Sequence, residues 1–232
     1  MVSICMATYN GQKDIEKQLR SILPQLDKND EVIISDDGST DNTVQILKSL
    51  NDSRIKIFHN GSRKGPVGNF ENALRESSGQ IIFLCDQDDV WFDNKIERHL
   101  AGHLNGDLVI SDAIVIDEEQ NIIFNSFFSQ RKSKKGLLNN ILRNSYIGCC
   151  TSFNRKILDV ALPFPADIHM HDWWIGLIAE LKGKVFFLNE PLMYYRRHNN
   201  NASVTLMSKL PIKQQIINRC VLLRRLILRA LN

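Results

Sequence analysis

A chain of 232 residues, 43% of them hydrophobic, can bury one sizeable core, and no uninterrupted apolar run approaches the ~20 residues of a membrane span. The net charge of +3 conceals an asymmetry: eight of the 29 lysines and arginines, but none of the 26 acids, follow Glu190, leaving 21 bases against 26 acids, or −5, over residues 1–190. An acidic body is the opposite of a nucleic-acid binder's electrostatic footprint, so no such partner is expected.

Val2–Ala7 reads as a first strand, running into the turn Thr8-Tyr9-Asn10-Gly11. A helix follows, with Ile15, Leu19, Ile22, Leu23 and Leu26 on one face. Glu31–Ser35 is the second strand. The stretch Asp36-Asp37-Gly38-Ser39-Thr40-Asp41 then makes a turn and caps a helix bearing Val44, Leu47 and Leu50. Arg54–His59 alternates as a third strand, Asn60–Gly65 is a polar loop, and Pro66–Ser77 is a helix with Val67, Phe70 and Leu74 inward.

The short apolar run Ile81–Cys85, entered from Ser-Ser-Gly, is a buried strand that ends in three carboxylates, Asp86, Asp88 and Asp89. Their mutual repulsion in an apolar interior calls for a cation, solvent or a proton. Oxygen ligands at a strand's C-terminal end suit Mg²⁺ or Mn²⁺, which also takes phosphate oxygens from a substrate. An isolated Asp-x-Asp is more simply a solvated acidic turn. The second acidic strand end, at Asp36 and Asp37, weighs against that account here. Asp93–Leu104 is the next helix, with Ile96, Leu100 and Leu104 spaced by four.

Strands alternating with helices give an α/β fold with a mainly parallel central sheet flanked by helices. Ligands then lie beyond the strands' C-terminal ends, where both acidic clusters and the Thr8-Tyr9 turn fall. The rhythm changes after Asp107, with short strands at Leu108–Ser111, Ile114–Ile116 and Ile122–Phe124. A basic loop expected to be mobile (Gln130–Gly136), a helix over Leu137–Leu142 and an apolar stretch from Tyr146 to Phe153 come next. His171-Asp172-Trp173-Trp174 opens a helix reaching Leu181, and Val185–Leu188 and Leu192–Tyr195 are strands. The expected division is one domain over residues 1–206, split near 106 into a nucleotide-binding and an acceptor half, with a basic helical tail from 207 to 232. Cys5, Cys85, Cys149, Cys150 and Cys220 lack zinc-type spacing and read as free thiols of a reducing cytoplasm. With no leader-like segment at the N-terminus, a cytoplasmic location is expected.

Five segments in order resemble the inverting nucleotide-sugar transferases of glycosyltransferase family 2, with the Rossmann-like GT-A fold. They are Ala7-Thr8-Tyr9-Asn10-Gly11, Ser35-Asp36-Asp37-Gly38-Ser39-Thr40-Asp41, Asp86-Gln87-Asp88-Asp89-Val90-Trp91, His171-Asp172-Trp173-Trp174 and Tyr195-Arg196-Arg197-His198-Asn199-Asn200. The third, fourth and fifth are most similar to bacterial members assigned as rhamnosyltransferases of surface-polysaccharide assembly. The resemblance implies a nucleoside-diphosphate sugar donor, dTDP-rhamnose or a UDP-hexose, and a glycan or lipid-linked glycan acceptor. It implies that Thr8, Tyr9, Asp36 and Asp37 hold the donor's base and ribose, with Asp36 equally able to serve only as the turn's cap. Asp86, Asp88 and Asp89 would bind ribose or Mn²⁺ or Mg²⁺, with Asp88 and His198 as metal ligands. Asp172 matches the catalytic base, its simpler role being a helix cap. Trp173 and Trp174 would form an acceptor platform, though aromatics beside a helix are usually packing.

Two departures stand out. Gly68-Asn69 occupies the place of an Arg-Asn pair in many relatives, leaving Arg63 or Lys64 to supply a cation, and His171 replaces the more usual Glu. Rival readings are a nucleotidyltransferase on a similar sheet and a non-catalytic sugar-nucleotide-binding module. The first would carry a Gly-rich basic loop after the first strand, and the second would have lost Asp172 or the Asp cluster. In the tail, Ile212, Ile216, Cys220, Leu223, Ile227 and Leu231 share one helical face. That face either packs on a protein surface or lies peripherally on the inner face of the plasma membrane, among anionic lipids.

Overall fold

The computed structural model describes residues 1–61, 63–197 and 211–231. The elements follow in order as β1 (Val2–Thr8), α1 (Ile15–Ile22), β2 (Glu31–Asp36), α2 (Thr43–Ser49), β3 (Ile55–His59), α3 (Pro66–Glu76) and β4 (Ile81–Asp86). Next come β5 (Val90–Trp91), α4 (Lys95–Gly102), β6 (Leu108–Ile116), β7 (Ile122–Phe124), α5 (Phe127–Arg131) and α6 (Leu137–Leu142). The chain continues through β8 (Thr151–Asn154), α7 (Arg155–Ala161), α8 (His171–Lys182), β9 (Val185–Arg196) and α9 (Ile212–Leu231).

The described strands join one sheet in the order β3-β2-β1-β4-β8-β6-β9-β5, with β7 on β6. β3, β2, β1 and β4 are mutually parallel, and β1, β2 and β4 are buried nearly throughout, as helices on both faces of a parallel sheet require. β8 enters antiparallel between β4 and β6, so the sheet continues without a break from the first half of the chain into the second. The C-terminal ends of β1, β2 and β4 therefore share one edge, with Thr8 aligned to Asp36 and Ala7 to Asp86.

Several elements differ from expectation for identifiable reasons. The first helix stops at Ile22 because Pro24 breaks it into a 3₁₀ turn over Leu23–Gln25. The two strands expected in 185–195 are one, β9, and the pairs expected in 108–116 are also one, β6. The sheet absorbs Pro191 by a register shift opposite Asp112, where a bulge leaves the proline no ladder bond to donate. The basic segment after α5 is tied down: Ser133 N–H donates to Phe128 O, and Lys134 N–H donates to Ser145 Oγ. The inward face of α4 is Lys95, Ile96, His99 and Gly102, whereas Leu100 and Leu104 are exposed.

The tail helix packs on the body, one of its two expected placements, but through a different face. α9 docks on α6 and α8 through Asn218, Leu222 and Leu226. Arg225 forks onto the Asp167 carboxylate, and Arg229 donates to the carbonyls of Val160, Leu162 and Pro163. The expected apolar stripe lies on the opposite side. Leu222→Ala should cost about 2–5 kcal/mol in urea unfolding, whereas Ile216→Ala on the outer side should change stability by less than about 0.5 kcal/mol. Equal losses would place the docked face wrongly.

Candidate active site

Two strand ends form the floor of the site. Past β1, the Gln87 side chain clamps the Thr8–Tyr9 turn: Thr8 Oγ donates to Gln87 Oε1 at 2.7 Å, Tyr9 N–H to the same oxygen at 3.0 Å, and Gln87 Nε2 to Tyr9 O at 3.1 Å. Thr8 is buried and Tyr9 is exposed. Past β2, Asp36 turns inward, and its oxygens accept the N–H groups of Gly38 and Ser39 and the Ser39 hydroxyl. Gly38 allows this tight turn by adopting φ of 89°. Asp36 thus braces the turn.

Asp37 stands differently. Its Oδ1 accepts from Asn60 Nδ2 and its Oδ2 from the Gly65 N–H, both at 2.8 Å. The Lys64 ammonium lies 3.5 Å from Oδ1 and donates to the Asp37 carbonyl, so the cation that Gly68-Asn69 does not provide stands beside this carboxylate. Arg63 instead reaches the carbonyls of Pro165 and Ile168.

Beyond β4 the acids gather. Asp86, Asp89 and Cys149 each bring one ligand atom to within 4.8 Å of the others. Asp89 Oδ1 accepts the Arg196 N–H, while its Oδ2 is buried and accepts nothing. Burial raises the Asp86 pKa, and the charges of Asp88 and Asp172 raise it further. Burial likewise pushes Asp89 far up, helped by Asp88 and Asp86. Burial also keeps the Cys149 thiol protonated, which leaves the hard carboxylate oxygens as the donor set for an ion. Two crowded carboxylates, Asp86 half-buried and Asp89 buried with an orphaned oxygen, fit a hard divalent cation such as Mg²⁺ or Mn²⁺. Among the described residues this group does not include Asp88, and His198 lies outside them.

Beneath the cluster, Lys95 is entirely buried. Its ammonium donates to Cys149 O at 2.5 Å and Met193 Sδ at 3.0 Å, and stands 4.3 Å from the Trp91 ring centroid. That carbonyl and aromatic face compensate for lost water, and the positive charge lowers the pKa of Asp86.

The opposite wall is α8. Met170 caps it, so Asp172 is not the expected cap and lies inside the first turn. Its Oδ1 accepts the Trp173 N–H at 2.6 Å and its Oδ2 the Gly148 N–H at 3.2 Å. Burial raises its pKa to about 6. The Gly148–Cys150 3₁₀ turn thus contacts both carboxylate sets: Gly148 holds Asp172, and Cys149 adjoins Asp86 and Asp89. His171 stacks on Phe70 with centroids 4.0 Å apart, and burial lowers its pKa to about 3, keeping the ring neutral.

The expected tryptophan platform does not form. Trp174 is wholly buried and donates its indole N–H to Ala161 O; Trp173, nearly as buried, donates to Asn140 O. Both are packing residues whose one polar atom is satisfied inside the protein. Gln87, Lys95, Gly148 and Cys149 are site residues that sequence reasoning misses. Only Gln87 carries a signal, its place inside the Asp-x-Asp.

The fold is that of the GT-A glycosyltransferases. A fragment of S. aureus TarS, residues 1–349, solved with UDP-GlcNAc, superposes with a TM-score of 0.72 at 20% identity, covering 95% of this chain and 66% of that one. Mannosyltransferase PcManGT from Pyrobaculum calidifontis, solved with GDP-Man and Mn²⁺, gives 0.64 at 19% identity, covering 87% and 58%. The chain belongs to glycosyl transferase family 2, whose model matches residues 3–161. One relative is the Escherichia coli UDP-Glc:alpha-D-GlcNAc-diphosphoundecaprenol beta-1,3-glucosyltransferase WfgD, 32% identical over 177 residues, covering 76% of this chain and 68% of that protein. Another is the Shigella flexneri dTDP-rhamnosyl transferase RfbG, 28% identical over 220 residues, covering 84% and 72%.

A carboxyl group whose pKa folding raises adds stability below its unfolded value, near pH 4, and loses that contribution as pH rises through the folded value. Buried neutral His99 and His171, with lowered pKa values, act oppositely below about pH 6.5. From about pH 7.5 to 8.5, where the histidines are neutral folded or unfolded, the metal-free protein should melt at falling temperature, and Mn²⁺ should reverse the fall. A melting temperature that rises through this window, or is indifferent to Mn²⁺ at its upper end, would contradict the crowded-carboxylate account.

Proposed function

We propose that this glycosyltransferase moves a sugar, with inversion, from a nucleoside diphosphate to a hydroxyl of a lipid-linked glycan, using Mg²⁺ or Mn²⁺. The observation that carries the reading is the Gly148–Cys150 turn, which links a buried carboxylate at the start of α8 to the acid cluster at the end of β4. The negative charge of Asp172 also helps to raise the Asp86 pKa, which supports reading the two as neighbours in one site. The relatives' own substrates, UDP-Glc with alpha-D-GlcNAc-diphosphoundecaprenol for one and a dTDP-rhamnosyl donor for another, support a UDP- or dTDP-sugar here.

On this reading, Asp37 accepts a pyrimidine N–H. Asn60, Gly65 and Lys64 fix its orientation, and each carboxylate oxygen retains a second lone pair. Thr8 and Tyr9 shape the base pocket through backbone held by Gln87. Asp86 and Asp89 would hold the metal, with Asp88 beside them toward the donor. A metal bound there would neutralise charge developing on the departing diphosphate. Asp172 takes the proton of the acceptor hydroxyl as that oxygen attacks the anomeric carbon. With a pKa of about 6 it is ionised at neutral pH yet basic enough to accept a proton. Work on a lipid-linked acceptor would place the protein peripherally at the inner face of the plasma membrane.

Release of UDP or dTDP from a panel of their sugars, with and without Mn²⁺, tests the reaction directly. Asp172→Asn should lose about 10²–10⁴ in turnover while keeping Mn²⁺-dependent nucleotide affinity, and the wild-type rate should rise with pH around 6. Near-normal transfer by this variant would remove Asp172 from the mechanism. Asp88→Asn should instead weaken Mn²⁺-dependent nucleotide binding in calorimetry; unchanged binding would exclude Asp88 from the donor site.

A further inference from the structure

We infer that the outward face of α9, with the adjoining exposed leucines of α6, is a docking surface for an anionic lipid bilayer. This deepens the peripheral placement proposed above by naming the face and its chemistry. One side of α9 is already occupied: Leu222 and Leu226 are buried, and Arg225 and Arg229 anchor the helix to the segment between α7 and α8. The other side exposes Ile212, Ile216, Leu223, Ile227 and Leu231, with Ile212 and Leu231 at 75% and 80%. At 100° per residue these side chains fall within one side of the helix, and Lys213 and Arg224 fall along one edge of it.

α6 extends the patch. It packs against α9, Arg219 Nη2 donates to Leu142 O, and Leu138 and Leu142 are 76% and 67% exposed. A contiguous face of this many large aliphatic side chains marks an interaction surface. Its charge identifies the occupant. On the outward side of α9, Lys213 and Arg224 are exposed and no acid lies on the helix, whereas Arg225 and Arg229 are engaged with the body. Lys132, Lys134, Lys135 and Arg143 flank α6 as exposed cations.

A second copy of this chain would bring these positive faces together at a cost in repulsion. A bilayer containing anionic lipid supplies both an apolar phase for the aliphatic side chains and counter-charge for their flanks. α9 also packs on α8, the helix whose first turn holds Asp172, so the proposed acceptor wall and the proposed lipid face share one helix.

Full-length protein should co-sediment with phosphatidylethanolamine vesicles containing phosphatidylglycerol, and poorly with phosphatidylcholine vesicles. Raising salt to about 0.5 M should weaken binding, since the Debye length contracts. The double variant Ile216→Gln/Ile227→Gln alters only exposed positions, so its melting temperature should stay put while vesicle binding falls at least tenfold. Lys213→Ala/Arg224→Ala should lose about thirtyfold, from two cations near the lipid surface. Equal vesicle binding by wild type and the Ile216/Ile227 variant would overturn the inference. So would a salt-resistant dimer in sedimentation velocity that the same variant dissolves, which would assign the face to a second copy. Vesicle binding is read without catalysis; its failure alongside intact Mn²⁺-dependent nucleotide binding would reject this face and leave the proposed reaction standing.

Discussion

The constraint on which the site depends is the crowding of acids at the end of β4. A parallel sheet buried on both faces carries its ligand-binding edge at the strands' C-terminal ends, and here that edge places Asp86 and Asp89 where water is scarce. Two anions in such a place are tolerated only with a proton, a cation or strong donors. The protein supplies a partial answer from within: the Cys149 thiol, the Arg196 N–H and the ammonium of Lys95 one residue contact away. None removes the repulsion, and Asp89 Oδ2 accepts no bond. On the proposed reading, a divalent ion would meet the remaining demand for positive charge and would bring the donor's diphosphate to the cluster.

The same turn that moderates this cluster also orients Asp172. Gly148 donates its N–H to the Asp172 carboxylate, and a Cβ at Gly148 would stand 3.2 Å from His171 Nε2. Lys95 holds the turn from below through the Cys149 carbonyl. The acid cluster and Asp172, the proposed base, are therefore joined through one short turn rather than through separate loops. Geometry between them matters because a general base must meet the acceptor proton within hydrogen-bond reach.

The parallel half of the fold is legible in the sequence because its strands are apolar runs ended by acidic or polar turns, and its helices repeat every three or four residues. The acid clusters are legible for the same reason, since a strand end announces where a side chain stands; Asp172 is picked out by the family resemblance. Other assignments fail where a residue's partner lies far along the chain. Trp173 and Trp174 look like a sugar platform in sequence, but the carbonyls of Asn140 and Ala161 hold them inside. Lys95 resembles any surface lysine until Cys149 and Trp91 close over it. In α4, Leu100 and Leu104 follow a helical period, yet Lys95 and His99 face inward because Cys149 O and Ser152 Oγ meet them there.

α9 shows the limit of periodicity most plainly. The aliphatic stripe from Ile212 to Leu231 is the stronger apolar pattern, and pattern alone would turn it toward the body. The structure turns the other face inward because that face carries Arg225 and Arg229, whose guanidinium groups find the Asp167 carboxylate and three carbonyls around Pro163. Five donors in a planar fork fix the helix's rotation more sharply than aliphatic contacts, which have no direction. Leu222 and Leu226 then supply the buried area, and the larger apolar face is left outward. The spacing of apolar residues tells only that a helix has two unlike sides; the partners waiting on the body decide which of them is presented inward.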